Sequence, residues 1–425
     1  MSSRSTTWNE AENPLWLVTG WLLRPLYLGL AFPSLLYLMA MTVFLFRPPD
    51  LSSYYADRIA FCGLVLLVVL RTLALREKFP FVAGITLPMI VLTALAVMRA
   101  LREPFDAQAW SIIASKFIVP FALFHVAILV FRGPSERRHF QIFVVLALGY
   151  LVFIAIAFLL DARSLIFPRF ILDETIGFHP ERARGPFLQA VANGVSLNLL
   201  GILAVALSDK RKTAVLLLWL VLPLAVLATM TRAVWISFAV SAIALRFRLN
   251  ERRLHFVYIA TLLVALLVGL SVAMSGNSLK TTLWDRASER GPVEARVAVY
   301  HAGWAMFQER PLTGWPAGGM YAELARRMEG YHLRTFYVHN TYLALLVELG
   351  VPGLAIYALL FFNLFRLSRR GVPGESGPVA VLRKVWPILL MVYLFNAFFV
   401  DMAYQFVIAL MFTAAGMLCS SEAAA

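Results

Sequence analysis

Apolar runs of about twenty residues recur along almost the whole chain of 425 residues. A helix rises about 1.5 Å per residue, so about 20 apolar residues cross the roughly 30 Å hydrocarbon core of a bilayer. With 60% apolar and 15% charged residues, the chain is more apolar and less charged than soluble proteins are. The pattern therefore predicts an all-α polytopic membrane protein and excludes a soluble enzyme. We expect about twelve transmembrane helices, at 26–46, 57–75, 80–98, 109–131, 140–160, 187–207, 213–230, 232–246, 254–275, 340–367, 384–400 and 402–418.

The basic residues fall in alternate loops of this pattern. Placing both termini in the cytoplasm puts a basic loop at every short inner connection, as the positive-inside rule requires. Most of the net charge of +14 is then explained by topology. A nucleic-acid partner, which such a charge would suggest in a soluble protein, is not indicated.

Two predicted outer loops are much longer than the other connections. They cover residues 161–186 and 276–338, and loops of this length usually serve a function. The expected organisation is nine helices within 1–275, the outer loop 276–338, and three helices within 339–425. No internal repeat is visible, which weighs against a transporter built from symmetric halves.

Arginines lie on the outer side, where the positive-inside rule does not place them. The planar guanidinium matches phosphate oxygens, so these residues are candidate ligands for a pyrophosphate. Pairing with nearby acids or lipid headgroups is the alternative. The candidates, in chain order, are Arg182, Arg184, Arg232, Arg286, Arg290 and Arg296.

Arg232 is the best placed of these arginines. It lies 14 residues from Arg246 at the inner end of its helix, a rise of about 21 Å, which should leave it recessed in the outer leaflet. A charge at that depth is costly and predicts a functional role, with a structural ion pair as the competitor. Lys116 and Asn193 are weaker candidates for the functional site. Lys116 could extend its ammonium group to the membrane surface, and Asn193 could serve helix packing.

His339 stands where the second long outer loop becomes a membrane helix. A neutral imidazole at the positive end of a helix can act as a base, and a helix cap or interfacial histidine is the alternative. The helix that follows would be about 40 Å long to Arg366, so we expect either a break near Gly350 and Pro352 or a His339 above the hydrocarbon. Supporting roles are predicted for two neighbours, Asn340 and Glu348, the latter as a partner, a rival base or a hydrogen-bonding residue at the break.

Four short motifs in order resemble the O-antigen ligase and polymerase family of bacterial envelope glycosyltransferases. The resemblance covers about residues 180–370; Thr231 and Pro316 depart from the family's commoner serine and glycine. The motifs are RARGPF at 182–187, MTRAVW at 230–235, Arg296 through Trp304 to PLTGW at 311–315, and HNTYL at 339–343 followed by ELG at 348–350.

The resemblance implies a GT-C-like helical fold in the bacterial inner membrane and a glycosyltransferase active at the periplasmic face. The donor would be an undecaprenyl-pyrophosphate-linked glycan and the acceptor lipid A-core, with no cofactor, no ATP and no metal. His339 would be the base of an inverting reaction. Arg184, Arg232 and Arg296 would hold the pyrophosphate, with Arg182, Arg286 and Arg290 as substitutes.

The residues read alone agree with a metal-independent reaction, since no paired acids in the outer loops resemble a Mg²⁺ site. Only Asp161, Asp173 and Glu174 could alter that interpretation.

Other functions remain open at this point. An O-antigen polymerase or a protein O-oligosaccharyltransferase would use the same donor chemistry with another acceptor. A lipid-linked glycan flippase would also need basic residues around a polar cavity, but with charges deep in several spans.

Overall fold

The computed structural model describes residues 30–47, 55–208, 212–249, 291–328, 337–370 and 376–422. Within these ranges the chain is helical and contains no β-strand. A π-helical segment, Ala114–Ile118, joins α4 to α5. The α-helices in chain order are α1 Pro33–Leu45, α2 Ala56–Ala74, α3 Ala83–Ala100, α4 Ala107–Ile113, α5 Val119–Val130, α6 Pro134–Leu159, α7 Ala190–Leu207, α8 Lys212–Ala228, α9 Arg232–Leu249, α10 Gly291–Glu309, α11 Ala317–Arg327, α12 Thr341–Arg366, α13 Pro378–Ala397 and α14 Gln405–Glu422.

Six candidate spans in the described part of the chain are long and apolar enough to cross a membrane. They comprise α3, α4 with α5, α6, α7, α12 and α13, and shorter apolar helices lie within α1, α8 and α14. The prediction of a helical membrane protein is confirmed. The predicted span 254–275 lies outside the described residues, and the count of twelve and the GT-C-like detail stay predictions.

Helix α7 packs against α6, α8, α9 and α13. Helix α7 is almost entirely buried, and α13 packs against both α7 and α9. Gly194 lets α7 approach α9 closely, because a Cβ added there would lie 2.6 Å from a methyl group of Val234. Small residues of this kind bring membrane helices together.

The predicted break in the helix after His339 is confirmed. Gly350 has φ +67 inside α12, and Pro352 follows it. The PLTGW turn docks into this break: the Trp315 amide donates to the Val347 carbonyl at 2.6 Å, and the Val351 amide donates to the Pro311 carbonyl at 2.8 Å. Helices α10 and α11 are thereby fixed against the first half of α12.

Candidate active site

His339 occupies a constrained turn immediately before α12. Its φ of +51 lies in the left-handed region, which costs a residue other than glycine roughly 1 kcal/mol or more and persists only where neighbours enforce it. The Tyr300 hydroxyl lies 3.3 Å from the His339 carbonyl and 3.2 Å from that of Phe398 and can donate to either. This contact ties the turn to α10 and to the outer end of α13.

The helix cap is Asn340 and not the histidine. The Asn340 side-chain oxygen accepts hydrogen bonds from the amides of Tyr342 at 2.9 Å and Leu343 at 3.0 Å. Such an N-cap satisfies two of the free amides at a helix start. The capping role considered for His339 is therefore already filled, and its ring is not needed for it.

The surroundings of His339 favour the neutral imidazole. Burial lowers its pKa, the positive charge of Arg296 on α10 lowers the pKa further, and the negative charge of Asp401 acts in the opposite direction. The net effect is a pKa below the ordinary value of about 6.5. At neutral pH the ring is thus in the form that accepts a proton.

A buried ion cluster lies beside this turn. Lys116 Nζ is 2.9 Å from Glu348 Oε1 and 2.7 Å from Asp401 Oδ2, and all three side chains are less than 10% exposed. Lys116 therefore does not snorkel, and Glu348 binds Lys116 as a partner residue. Lys116 lies in the π-helix, a rare geometry often found at functional sites.

The loop between α13 and α14 joins the parts of this site. The Thr341 hydroxyl donates to the Val400 carbonyl and accepts from the Met402 amide, both at 2.9 Å. Asp401, which lies between these two residues, is thereby held against Lys116. We name residues 398–405 the hub loop, because its far end contacts two further elements.

The far end of the hub loop contacts the chain before α7 and the chain after α1. Tyr404 hydrogen-bonds the Gln189 side chain. Arg47 donates to Gln405 Oε1 at 2.6 Å and also pairs with Asp57 at 3.1 Å. The hub loop was not recognised as functional in the sequence, because it is short and lies between two apolar runs.

Two of the predicted arginine motifs meet at a second turn on the same side. The Ala183 amide donates to the Ala228 carbonyl at 3.1 Å, which holds the RARGPF segment against the end of α8. Arg232, the first residue of α9, is exposed, and Arg182 is half-buried with its Nε 3.3 Å from Glu181. Asn193 supports the turn by donating to the Ala183 carbonyl at 2.8 Å.

Arg184 has a different role from the predicted phosphate contact. Its side chain is completely buried. Its guanidinium donates to the Ile171 carbonyl at 3.0 and 2.9 Å, to the Ile176 carbonyl at 2.7 Å, and to the Asp173 carbonyl. A phosphate would have to displace these bonds. Arg184 therefore stabilises the fold of the outer loop 161–186.

The remaining predicted residues fall into two groups. Arg296 is half-buried and influences His339, as described above. Arg286 and Arg290 lie outside the described residues. Among the residues that the structure describes, no group of three or more His, Cys, Asp or Glu side chains could hold a metal ion.

The outer acids that could have formed a metal site have other partners. Asp161 pairs with Arg163 at 3.0 Å, and Asp173 accepts hydrogen bonds from Thr175.

The family resemblance has independent support. Residues 215–358 match the family model described as O-Antigen ligase, a segment that includes Arg232, Arg296 and His339. No curated protein matches the chain.

Proposed function

From the match of residues 215–358 to the O-Antigen ligase family model, we propose that this chain moves an O-antigen glycan from undecaprenyl pyrophosphate onto lipid A-core. The match supports an enzyme of the ligase and polymerase type that works on a lipid-linked glycan. The proposed setting is the periplasmic face of the bacterial inner membrane, with both termini cytoplasmic.

The observation that carries the proposal is the state of His339. The residue is held in a left-handed turn by its neighbours, its helix is capped by Asn340, and burial together with Arg296 lowers its pKa. A buried neutral imidazole next to a guanidinium suits the removal of a proton beside an anionic leaving group.

In the proposed reaction, the imidazole takes the proton of an acceptor sugar hydroxyl. The hydroxyl oxygen forms a bond to the anomeric carbon of the donor glycan, from the face opposite the pyrophosphate. The bond between that carbon and the phosphate oxygen breaks, and its electron pair stays on the departing undecaprenyl pyrophosphate. The configuration at the anomeric carbon is therefore inverted.

Arginines stabilise the charge that develops on the leaving group. We assign this role to Arg296 and Arg232, with Arg182, Arg286 and Arg290 as further candidates. Fixed guanidinium donors directed at developing charge are the type of group that contributes most to such a reaction. Since the arginines supply this charge, we expect transfer to proceed without a metal ion.

The direct test offers purified protein an undecaprenyl-linked glycan and lipid A-core in the presence of a chelator, with products identified by mass spectrometry. His339→Ala should abolish transfer, and His301→Ala is the matched control, because His301 is an exposed histidine on α10. A fully active His339→Ala enzyme would remove the histidine from the role of base. Loss of product in chelator would overturn the metal-free mechanism.

The same assay separates the related functions. A polymerase would extend a lipid-linked glycan and ignore lipid A-core, and an oligosaccharyltransferase would require a protein acceptor. A flippase would move the donor across a membrane without forming a glycosidic bond.

A further inference from the structure

The last turn of α13 is joined to α9 by a hydrogen bond between two buried side chains. The Asn396 amide nitrogen donates to the Ser237 hydroxyl at 2.9 Å, and that hydroxyl can donate to the Val234 carbonyl at 3.0 Å. Ser237 and Asn396 are both buried. Polar side chains of this kind link helices within a membrane. The reaction proposed above gives neither residue a role.

The same turn of α13 also binds the segment that carries His339. The Tyr342 hydroxyl donates at 2.8 Å to the carbonyl of Leu394, two residues before Asn396. The Tyr342 ring packs against that of Phe398, with the ring centres 4.5 Å apart. Tyr342 lies three residues after His339 in the chain. The end of α13 therefore contacts α9 through Asn396 and the first turn of α12 through Tyr342.

The contact at Ser237 determines where α9 places its first residue, Arg232. Five residues separate Arg232 from Ser237, which corresponds to about 8 Å along the helix axis. Helices α9 and α13 pack against each other, and a directional hydrogen bond between them fixes their relative height and rotation. The position of Arg232 relative to the segment of His339 is thus set through α13.

A second pair of serine and asparagine lies one turn further along α9 and joins it to another helix. The Ser241 hydroxyl lies 2.9 Å from Asn198 Oδ1 on α7, and both residues are fully buried. Helix α7 carries Asn193, which supports the RARGPF turn described above. This second pair therefore joins two helices of the arginine side of the site. Only the pair of Ser237 and Asn396 leads to the helix that binds the histidine side.

We propose that Ser237 and Asn396 are positioning residues that hold Arg232 at a fixed distance from His339. The inference rests on the proposed function and deepens it. The base and the guanidinium that stabilises the leaving pyrophosphate act on opposite sides of one anomeric carbon, so their separation has to match the substrate. A displacement of about 1 Å in such an arrangement can lower the rate about 100-fold.

The test measures kcat and both KM values in the transfer assay for Ser237→Ala, Asn396→Leu and the double variant. Each single variant should lower kcat about tenfold or more, because the groups around the reacting atoms are displaced. Both KM values should stay unchanged, since the groups that bind the substrates are all present. The double variant should be no slower than the slower single variant, because both substitutions remove the same hydrogen bond.

Ser241→Ala is the matched control. It removes a buried serine hydroxyl from the same helix and breaks a hydrogen bond of the same type. We expect its thermal unfolding temperature to fall as far as that of Ser237→Ala while its kcat stays at the wild-type value. An equal loss of kcat in Ser241→Ala would show that general loosening of the helices lowers the rate, and it would overturn the proposal.

Three further results would refute the positioning role. They are an unchanged kcat in both single variants, a raised KM at constant kcat, and losses that multiply in the double variant. If the wild-type protein transfers nothing, the proposed function fails instead, and the positioning role is then judged by distance measurements alone.

The distance measurement uses spin labels at Ile236→Cys and His301→Cys in protein that also carries Cys62→Ser. Ile236 and His301 are exposed on α9 and α10, Cys62 is the exposed native cysteine, and Cys419 is buried. Helix α10 reports on the histidine side because Tyr300 contacts the His339 carbonyl. Double electron–electron resonance should give a broader distance distribution in Ser237→Ala and an unchanged one in Ser241→Ala. An unchanged distribution in Ser237→Ala would refute the positioning role.

Discussion

Lys116 and Glu348 are 232 residues apart in the chain, yet their side chains are joined by a buried contact of 2.9 Å between Nζ and Oε1. The same lysine binds Asp401 at 2.7 Å. One cation thus holds together the π-helix, the helix that follows His339 and the hub loop. The surroundings of the histidine depend on this contact, since Asp401 also acts on its pKa.

Replacing the lysine should be severely destabilising. Lys116→Met leaves Glu348 and Asp401 buried without their cation, and removing one partner of a buried pair typically costs about 3–5 kcal/mol. We expect a large fall in the thermal unfolding temperature in detergent. The double variant Lys116→Met/Asp401→Asn should lose less than the sum of the single variants, because it no longer leaves two buried charges. Additive losses would show that the three groups are not coupled.

Activity should decline only at acidic pH, and Arg296 should set where this happens. Because burial and Arg296 lower the pKa of His339, the base stays neutral to a pH below its ordinary value of about 6.5. Arg296→Gln removes a positive charge, which raises this pKa and moves the acid limb of kcat/KM to higher pH. The profile is measured from about pH 5 to 8, where imidazole titrates. An acid limb that stays in place would mean that Arg296 does not act on the base.

Asp401→Asn should move the same limb in the opposite direction. The carboxylate of Asp401 stabilises the charged imidazole, so its loss lowers the pKa of His339 and shifts the acid limb to lower pH. A merely structural role for Asp401 would reduce the rate at every pH without this shift. The shift is compared with that of Arg296→Gln in the same assay.

Arg184 and Arg232 should respond differently to replacement by glutamine. Arg184→Gln breaks several buried hydrogen bonds from a charged group, and we expect a fall of more than about 2 kcal/mol in unfolding free energy. Arg232→Gln changes an exposed side chain, so it should leave thermal stability intact and lower transfer about tenfold or more. Unfolding curves and rates for both variants distinguish the two roles. A stable, inactive Arg184→Gln protein would restore Arg184 as a phosphate ligand.

The docking of the PLTGW turn into the break of α12 should tolerate no side chain at either glycine. An alanine Cβ at Gly350 would lie 2.5 Å from the Pro311 carbonyl oxygen, and one at Gly314 would lie 2.5 Å from the Glu348 carbonyl oxygen. Both glycines also have positive φ. We expect each alanine variant to lose about 1–3 kcal/mol of stability. Gly63→Ala in α2 is the control and should cost nothing, because no atom lies within 4 Å of the added Cβ.

Local features of the molecule could be predicted from the sequence. Hydropathy located the apolar helices of the described ranges but not α10 and α11, which lie within the predicted outer loop, and the combination of Gly350 with Pro352 located the break in α12. The HNTYL motif at 339–343 placed His339 at the start of a membrane helix. These features depend on residues close together in the chain, which is why sequence patterns carry them.

Features that depend on distant contacts could not be predicted. Asp401 had no motif, because its importance arises from meeting Lys116, a residue far away in the chain. The role of Arg184 depends on how the loop 161–186 folds back to present the carbonyls of Ile171 and Ile176. A sequence does not distinguish a loop arginine that binds a ligand from one whose guanidinium is hydrogen-bonded to backbone carbonyls.

The hub loop has a consequence for biogenesis. The ribosome delivers it to the membrane after every other described helix except α14. A chain stopped at residue 370 would contain the whole segment 215–358. It would still lack the carboxylate of Asp401 and the hydrogen bond between Thr341 and Val400. The proposed activity should therefore appear only once α13 and α14 have been inserted, so that membrane insertion of these two helices controls the assembly of the site around His339.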